Sequence, residues 1–210
     1  MEALQYVLPY YIEPHRHYHN INHITKMLKG VYQYGDKDKV FRQVRVVDDM
    51  ITEEIYRPLY HAILFHDITY DIPNKSVRSN EQLSAAEYTH YACEEDISQE
   101  EMHQVVDMIE ATEFHFTDKL YDDYYTNLLL DLDLLSFTDP YHQFVMTQNE
   151  IDKEYLTSYP REYVIQRRKD FLLDIRDKIK YRVIDPSGAL TNIAKSNISD
   201  ILEEWDEIYD

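Results

Sequence analysis

Glycine is almost absent from this chain, and its scarcity restricts the folds that the sequence can adopt. Three of the 210 residues are glycine, against a usual share of roughly 7%. Phosphate loops and dinucleotide-binding fingerprints both need several closely spaced glycines. Sandwiches and barrels need many glycine-bearing turns between short strands. The sequence therefore excludes these classes.

Apolar residues recur at three- and four-residue spacing over most of the chain, which predicts α-helices throughout. The predicted helices run from about Pro14 to Tyr32, Lys39 to Tyr56, Pro58 to Asp67, Asn80 to Cys93, Ser98 to Thr112, Leu128 to Phe137, Asp139 to Tyr155, Pro160 to Tyr181 and Thr191 to Ile208. The polar segment from Asp71 to Asn80 predicts a loop. Because no repeat or long linker interrupts the pattern, we expect an all-α fold with a single domain over residues 1–210.

The chain is strongly acidic, with 21 basic and 40 acidic residues and a formal net charge of −19. Such a field repels phosphate backbones and anionic lipid headgroups, so we expect neither long nucleic acid nor a membrane as a partner. The single cysteine, Cys93, excludes a disulfide framework and multi-cysteine zinc modules. The apolar runs of the chain are too short to cross a bilayer, and no basic-then-apolar leader opens the chain. The sequence predicts a soluble cytoplasmic protein, in which the 20 tyrosines could support a homodimer.

Histidines are concentrated near the start of the chain. Four of them lie within nine residues: His15, His17, His19 and His23. The predicted helix places His15, His19 and His23 on one face, because residues four apart are neighbours on a helix surface.

Two further segments carry potential metal ligands. His66-Asp67 ends an apolar helix, where a bend of the backbone can turn both side chains toward one point. Asp131 and Asp133 lie among leucines, and carboxylates are rarely buried without a cation or strong donors. Two imidazoles with two carboxylates form a nitrogen and oxygen site suited to Mn²⁺, Fe²⁺, Zn²⁺ or Mg²⁺.

These residues resemble the HD-domain superfamily of metal-dependent phosphohydrolases, whose ligands follow the order His, His-Asp, Asp on a helical core. A closer resemblance is to the family of predicted metal-dependent HD-superfamily phosphohydrolases. The motifs that carry it are Glu13-Pro14-His15-Arg16-His17-Tyr18-His19-Asn20 with His23-Ile24, Phe65-His66-Asp67 with Tyr70-Asp71, Asn80-Glu81 with Ser84-Ala85, Ala111-Thr112 with His115, Asp131-Leu132-Asp133-Leu134, Lys153-Glu154-Tyr155 and Ala194-Lys195-Ser196-Asn197. This resemblance covers nearly the whole chain and implies an HD-type helical bundle.

The segment from Tyr18 to His23 is also similar to the Tyr-His-Asn-x-x-His motif of class I cyclic nucleotide phosphodiesterases. In that motif the first histidine donates a proton and the second binds metal, which implies His19 as the general acid. The implied metal ligands are His23, His66, Asp67 and Asp133. We prefer Asp133 to Asp131 because the family acid precedes leucine, although both aspartates do so here. A cyclic nucleotide is not implied, because the residues after Asp67 lack the further histidine and the Pro-Gly of those enzymes.

The implied reaction is hydrolysis of a small phosphorylated metabolite, with a nucleotide as the first candidate. A divalent metal polarises the phosphate and activates a water, which Asp67 would orient while His19 protonates the leaving oxygen. The candidate substrate-binding residues are Arg16, Lys26, Glu81 and His115. The run from Arg167 to Lys169 is typical of a solvated face.

Three other functions stay open at this point. A protein that binds metal and nucleotide without turnover would use the same ligands, and steady-state turnover with Mn²⁺ separates it from an enzyme. An acidic interaction protein that mimics nucleic acid would hold no metal after dialysis and would bind a basic partner. A di-iron oxygenase would require extra ligands such as His115.

Overall fold

Helices form nearly all of the regular structure. The structure is a computed structural model that describes residues 2–47, 50–117 and 119–209. Its elements in chain order are α1 (Ala3–Tyr11), α2 (Ile21–Tyr34), α3 (Lys37–Val40), β1 (Phe41–Val47), β2 (Met50–Ile55), α4 (Arg57–Phe65), α5 (Asn80–Glu94), α6 (Gln99–Ala111), α7 (Tyr124–Asp133), α8 (Tyr141–Leu156), α9 (Arg161–Arg176) and α10 (Ala189–Tyr209). Two 3₁₀ helices, Thr112–Phe114 and Leu134–Thr138, continue α6 and α7. The prediction of an all-α bundle is confirmed, with one small hairpin added.

The predicted helix from about Lys39 to Tyr56 is wrong. Strands β1 and β2 pair there as an antiparallel hairpin, with Phe41 opposite Ile55; residues 48 and 49 lie outside the described residues. The segment is rich in valine and isoleucine, whose branched side chains favour extended backbone. Short apolar runs of this kind do not separate helix from strand by periodicity alone.

The predicted helix from about Pro14 to Tyr32 is also wrong in its first half. Helix α2 starts at Ile21, where the Asn20 side chain accepts a hydrogen bond from the backbone N–H of Asn22 at 2.8 Å. A side chain that satisfies a first-turn N–H in this way begins a helix. The residues between α1 and α2 form turns, so His15 and His19 do not share a helix face with His23.

Helix α4 lies at the centre of the bundle and brings the His66-Asp67 pair into it. It packs against α1, α2, α5, α6 and α7, and its residues from His61 to Phe65 are all buried. A helix that is apolar on every side is stable only when other helices surround it. Burial of α4 therefore carries the end of this helix, and the residues that follow it, into the protein interior.

The other helices follow the predicted periodicity, with ends that differ by a few residues. Helix α5 is capped by Ser79, which forms a reciprocal capping box with Gln82 and directly precedes the predicted start at Asn80. Ser98, the first residue of its predicted helix, caps α6. Within the described residues, no helix combines the length and apolar character needed to cross a membrane.

Candidate functional site

Four side chains from separate parts of the chain converge on one point. Ligand atoms of His23, His66, Asp67 and Asp133 all lie within 4.8 Å of one another, and the group could hold a metal ion. The Nε2 atoms of His23 and His66 are 3.2 Å apart. Asp133 Oδ1 lies 2.9 Å from His23 Nε2, and Asp67 Oδ2 lies 3.1 Å from His66 Nε2. We call these four residues the His-Asp cluster.

Each member of the His-Asp cluster lies at or near the end of a helix. His23 is in the first turn of α2, His66 and Asp67 directly follow α4, and Asp133 is the last residue of α7. Both histidines are buried, while the two aspartate side chains keep 15% and 16% of their surface exposed. The cluster therefore lies at the floor of a site that solvent reaches from the carboxylate side.

The tautomer of His66 is set by its backbone contact. Its Nδ1 lies 2.9 Å from the carbonyl oxygen of Ile63 and donates a hydrogen bond to it. The neutral ring then carries a lone pair on Nε2, which faces the other ligands. An imidazole held by a carbonyl in this way is the usual arrangement of a metal-ligating histidine.

The charges of the cluster strongly perturb its titration. Burial by itself lowers the pKa of His66, but the nearby carboxylates of Asp67 and Asp133 outweigh it and raise the pKa well above its usual value. For Asp133, burial raises the pKa and the facing histidines, His115 foremost, hold it well below its usual range. The imidazoles and carboxylates of the cluster therefore stabilise one another's charged forms.

His19 lies beside the cluster and is paired with a buried acid. Its Nδ1 lies 2.6 Å from Glu154 Oε2, and its ring stacks on Tyr70 with centroids 3.8 Å apart. Glu154 Oε1 accepts hydrogen bonds from the backbone N–H groups of Tyr18 and His19. Burial raises the pKa of Glu154, but the hydrogen bond with the His19 side chain, together with the two backbone hydrogen bonds, leaves this pKa below its usual value. The acid is therefore an ionised carboxylate that fixes the orientation of the His19 ring.

His19 lies close to His23 although the two residues do not share the predicted helix face. The two ring centroids are 6.1 Å apart, close to the separation expected for residues four apart on a helix. His19 instead lies in the turn before α2, and Glu154 and Tyr70 hold its ring. His15, the third histidine of the expected face, is exposed, and its Nε2 lies 3.7 Å from Glu13 Oε2.

The two aspartates near the end of α7 have separate roles. Asp133 belongs to the His-Asp cluster, whereas Asp131 accepts hydrogen bonds from the backbone N–H groups of Arg182, Val183 and Ile184. Asp131 is fully buried. Its carboxylate therefore holds the chain between α9 and α10 and does not reach the cluster.

Two residues expected to bind substrate phosphate are occupied elsewhere. The buried guanidinium of Arg16 donates hydrogen bonds to the carbonyl oxygens of Asp67 at 2.6 Å and Ile68 at 2.7 Å. It therefore fixes the turn that presents Asp67, and its donors are not free for a ligand. Lys26 forms an ion pair with Asp139 and lies outside the cavity above the cluster.

A cavity of about 590 Å³ opens above the His-Asp cluster. The cavity is lined by His19 and by the two carboxylates of the cluster, Asp67 and Asp133. Glu81 and His115 also line it, so the structure brings these two predicted substrate-binding residues to the site. His115 Nε2 lies 2.6 Å from Asp133 Oδ2. The volume of the cavity lies within the range of small-molecule sites, roughly 300–1,000 Å³.

Sequence reasoning missed two parts of this site. Glu154 lies 135 residues from His19, and although it belongs to the Lys153-Glu154-Tyr155 motif of the resemblance, no role at the site was predicted for it. The run from Arg167 to Lys169 was expected on a solvated face, but Arg168 is buried, and Arg167 and Arg168 both line the cavity. The four-residue spacing of Tyr163, Arg167 and Phe171 is the signal that could have assigned this face of α9 to a site.

Comparisons with known proteins do not place the chain in a family. No protein-family model, curated protein or solved structure matches it.

Proposed function

We propose that this protein is a metal-dependent phosphohydrolase that acts on a small phosphorylated metabolite, with a nucleotide as the first candidate. The observation that carries the proposal is the His-Asp cluster at the floor of the cavity, with the His19–Glu154 pair beside it. Metal binding alone would explain the cluster. A histidine oriented by a buried carboxylate next to a metal site is in addition the arrangement needed for proton transfer.

The donor set of the cluster fits a divalent cation. His23, His66, Asp67 and Asp133 would hold it, since imidazole and carboxylate together suit Mn²⁺, Fe²⁺, Zn²⁺ or Mg²⁺. When bound, such a cation polarises a phosphoryl oxygen and lowers the pKa of a bound water toward about 7. The two carboxylates would balance the charge of one divalent ion.

His19 is the proposed proton donor to the leaving oxygen. Glu154 binds Nδ1 of the ring, so the other ring nitrogen, Nε2, is left to exchange a proton with a ligand in the cavity. Stacking on Tyr70 keeps the ring in that orientation. Asp67, whose backbone carbonyl is held by Arg16, is the residue proposed to orient the attacking water.

The proposed substrate is small, because the cavity is of small-molecule size and long polyanions are repelled by the net charge of −19. We propose the cytoplasm as the setting, which fits a chain with a single cysteine.

The test is metal analysis joined to a substrate screen. Purified protein would be dialysed, analysed by mass spectrometry for metals, and assayed with nucleoside mono-, di- and triphosphates and p-nitrophenyl phosphate in Mn²⁺, Fe²⁺, Zn²⁺ or Mg²⁺. We expect one divalent ion per chain and release of phosphate. His66→Ala should lose both, whereas His103→Ala, which replaces an exposed histidine outside the cluster, should lose neither.

Two outcomes would overturn the proposal. A chain that holds no metal after reconstitution would show that the cluster is structural. Stoichiometric metal with tight nucleotide binding and no turnover would instead favour a binding protein.

A further inference from the structure

One face of α9 borders the cavity and carries a cation between two rings. Tyr163, Arg167 and Phe171 are spaced by four residues, so their side chains follow one another along the helix, and all three line the cavity. Each is exposed to solvent. Tyr163 and Phe171 lie one turn before and one turn after Arg167, and the guanidinium of Arg168 lies over the Phe171 ring, 5.2 Å from its centroid. Rings and a guanidinium on one helix face form a surface that can hold a charged group and a flat group together.

The charges of the residues that line the cavity favour a role for Arg167 in binding an anion. The acids that line the cavity are Asp67, Asp71, Glu81 and Asp133. With a divalent cation on Asp67 and Asp133, the charges of Asp71 and Glu81 still repel a phosphate dianion, and the arginines that line the cavity are Arg167 and Arg168. A substrate of this charge therefore needs a cation that is not already neutralised.

Arg168, the neighbour of Arg167, does not meet this need. Its Nε lies 3.1 Å from Asp152 Oδ1, and it also donates a hydrogen bond to Gln148. Arg167, by contrast, has no acidic partner among the residues that the structure describes. Among the lysines and arginines in the described part of the cavity wall, it is the one whose charge is not balanced by a carboxylate.

The rings connect this face of α9 to the His-Asp cluster. The Phe171 ring packs edge-on against Phe116 with centroids 5.7 Å apart, and Phe116 lies 6.0 Å from the ring of His115. His115 in turn contacts Asp133. Arg167 lies four residues before Phe171, which is about 6 Å along the helix axis. Arg167 and the carboxylates of the cluster therefore line one cavity, on walls that these rings connect.

We propose that Arg167 is the receptor for the substrate phosphate, and that Tyr163 and Phe171 hold a planar ring of the leaving group. This inference rests on the proposed phosphohydrolase function and names its substrate class as a phosphate ester of a ring-bearing group, of which a nucleoside monophosphate is the first member. Arg167 takes the role that Arg16 and Lys26 were expected to fill.

Equilibrium binding tests the proposal without requiring turnover. Adenosine monophosphate, inorganic phosphate and adenosine would each be titrated calorimetrically into metal-reconstituted protein. Arg167→Gln should weaken binding of the monophosphate and of phosphate about 10- to 100-fold, because a charge-assisted hydrogen bond is lost, and should leave adenosine binding unchanged. Tyr163→Leu and Phe171→Leu should weaken adenosine and the monophosphate but not phosphate.

The matched control is Arg176→Gln, which makes the same charge change in the last turn of α9, at a partly exposed residue that lies outside the cavity and close to Asp177. It should bind all three probes as the parent does. Arg167→Lys should recover part of the affinity for phosphate, since it restores the charge but not the fork of donors.

The outcomes separate this inference from the proposed function. Equal phosphate affinity in the Arg167 and Arg176 variants, or no binding of the monophosphate by the parent, would overturn the role of Arg167. If the parent also hydrolyses esters with KM unchanged by Arg167→Gln, the inference fails while the function stands. If binding depends on Arg167 but no ester is hydrolysed with any metal, the function fails and the anion site stands.

Discussion

Replacing Glu154 with glutamine tests the proton-donor role of His19 at the group that orients it. The carboxylate is 2% exposed; one oxygen accepts from two backbone N–H groups and the other lies 2.6 Å from His19 Nδ1. Glutamine has the same size, and its carbonyl oxygen can keep the backbone hydrogen bonds. Its amide NH₂ would then face the ring, so the negative charge that stabilises a protonated His19 is lost.

The expected loss follows from this geometry. A hydrogen bond between charged groups contributes about 1.5–3 kcal/mol, and each 1.36 kcal/mol in the barrier is a factor of ten in rate. Glu154→Gln should therefore lower kcat for adenosine monophosphate about 10- to 150-fold. The loss should be smaller for p-nitrophenyl phosphate, whose leaving group departs without a proton. Metal content should not change, because Glu154 is not a member of the His-Asp cluster.

Phosphate release with the two substrates is the assay, and Glu150→Gln is the matched control. Glu150 is an acid one turn earlier on α8 that pairs with Lys153, and its replacement should leave kcat unchanged. His19→Ala should lower kcat by about 10² to 10⁴ and keep the metal. In the His19→Ala background, Glu154→Gln should have no further effect. Additive losses, or equal losses with good and poor leaving groups, would refute the pairing as a proton-transfer device.

Three further variants test other parts of the structure. Asp133→Asn should lower metal content at least tenfold. Asp131→Asn should keep the metal but lower the free energy of unfolding in urea by about 1–3 kcal/mol, because three backbone N–H donors lose a charged acceptor. The reverse pattern would exchange the roles of the two aspartates. Burial lowers the pKa of His61 to about 4, so its neutral form is favoured in the folded state and its stability contribution, complete above about pH 6.5, is lost as the pH falls toward 4. The free energy of unfolding should drop by about 2 kcal/mol between pH 7 and 5 from this residue, a drop that His61→Gln should lack. Gly30→Ala places a Cβ atom 2.6 Å from Leu132 Cδ2, so thermal denaturation should show a loss of about 1–3 kcal/mol despite the better helix propensity of alanine.

Several features of this protein could be read from the sequence because they depend on neighbours along the chain. Helical periodicity needs only residues three and four apart, and it located most helices within a few residues. The resemblance to HD-domain phosphohydrolases implied His23, His66, Asp67 and Asp133 as metal ligands, and the structure brings these four residues together. The hairpin was missed because a short apolar run rich in β-branched residues fits strand and helix alike.

Other features depended on contacts between distant segments, which local pattern does not contain. Residues two apart on a helix point about 200° apart, so Asp131 and Asp133 face different surroundings. Only the packing of α7 decides that Asp133, and not Asp131, contacts the histidines. The pairing of His19 with Glu154 joins residues 135 apart. The packing of the bundle places them together, because burial of the apolar faces, and not the polar pair itself, determines which helices meet.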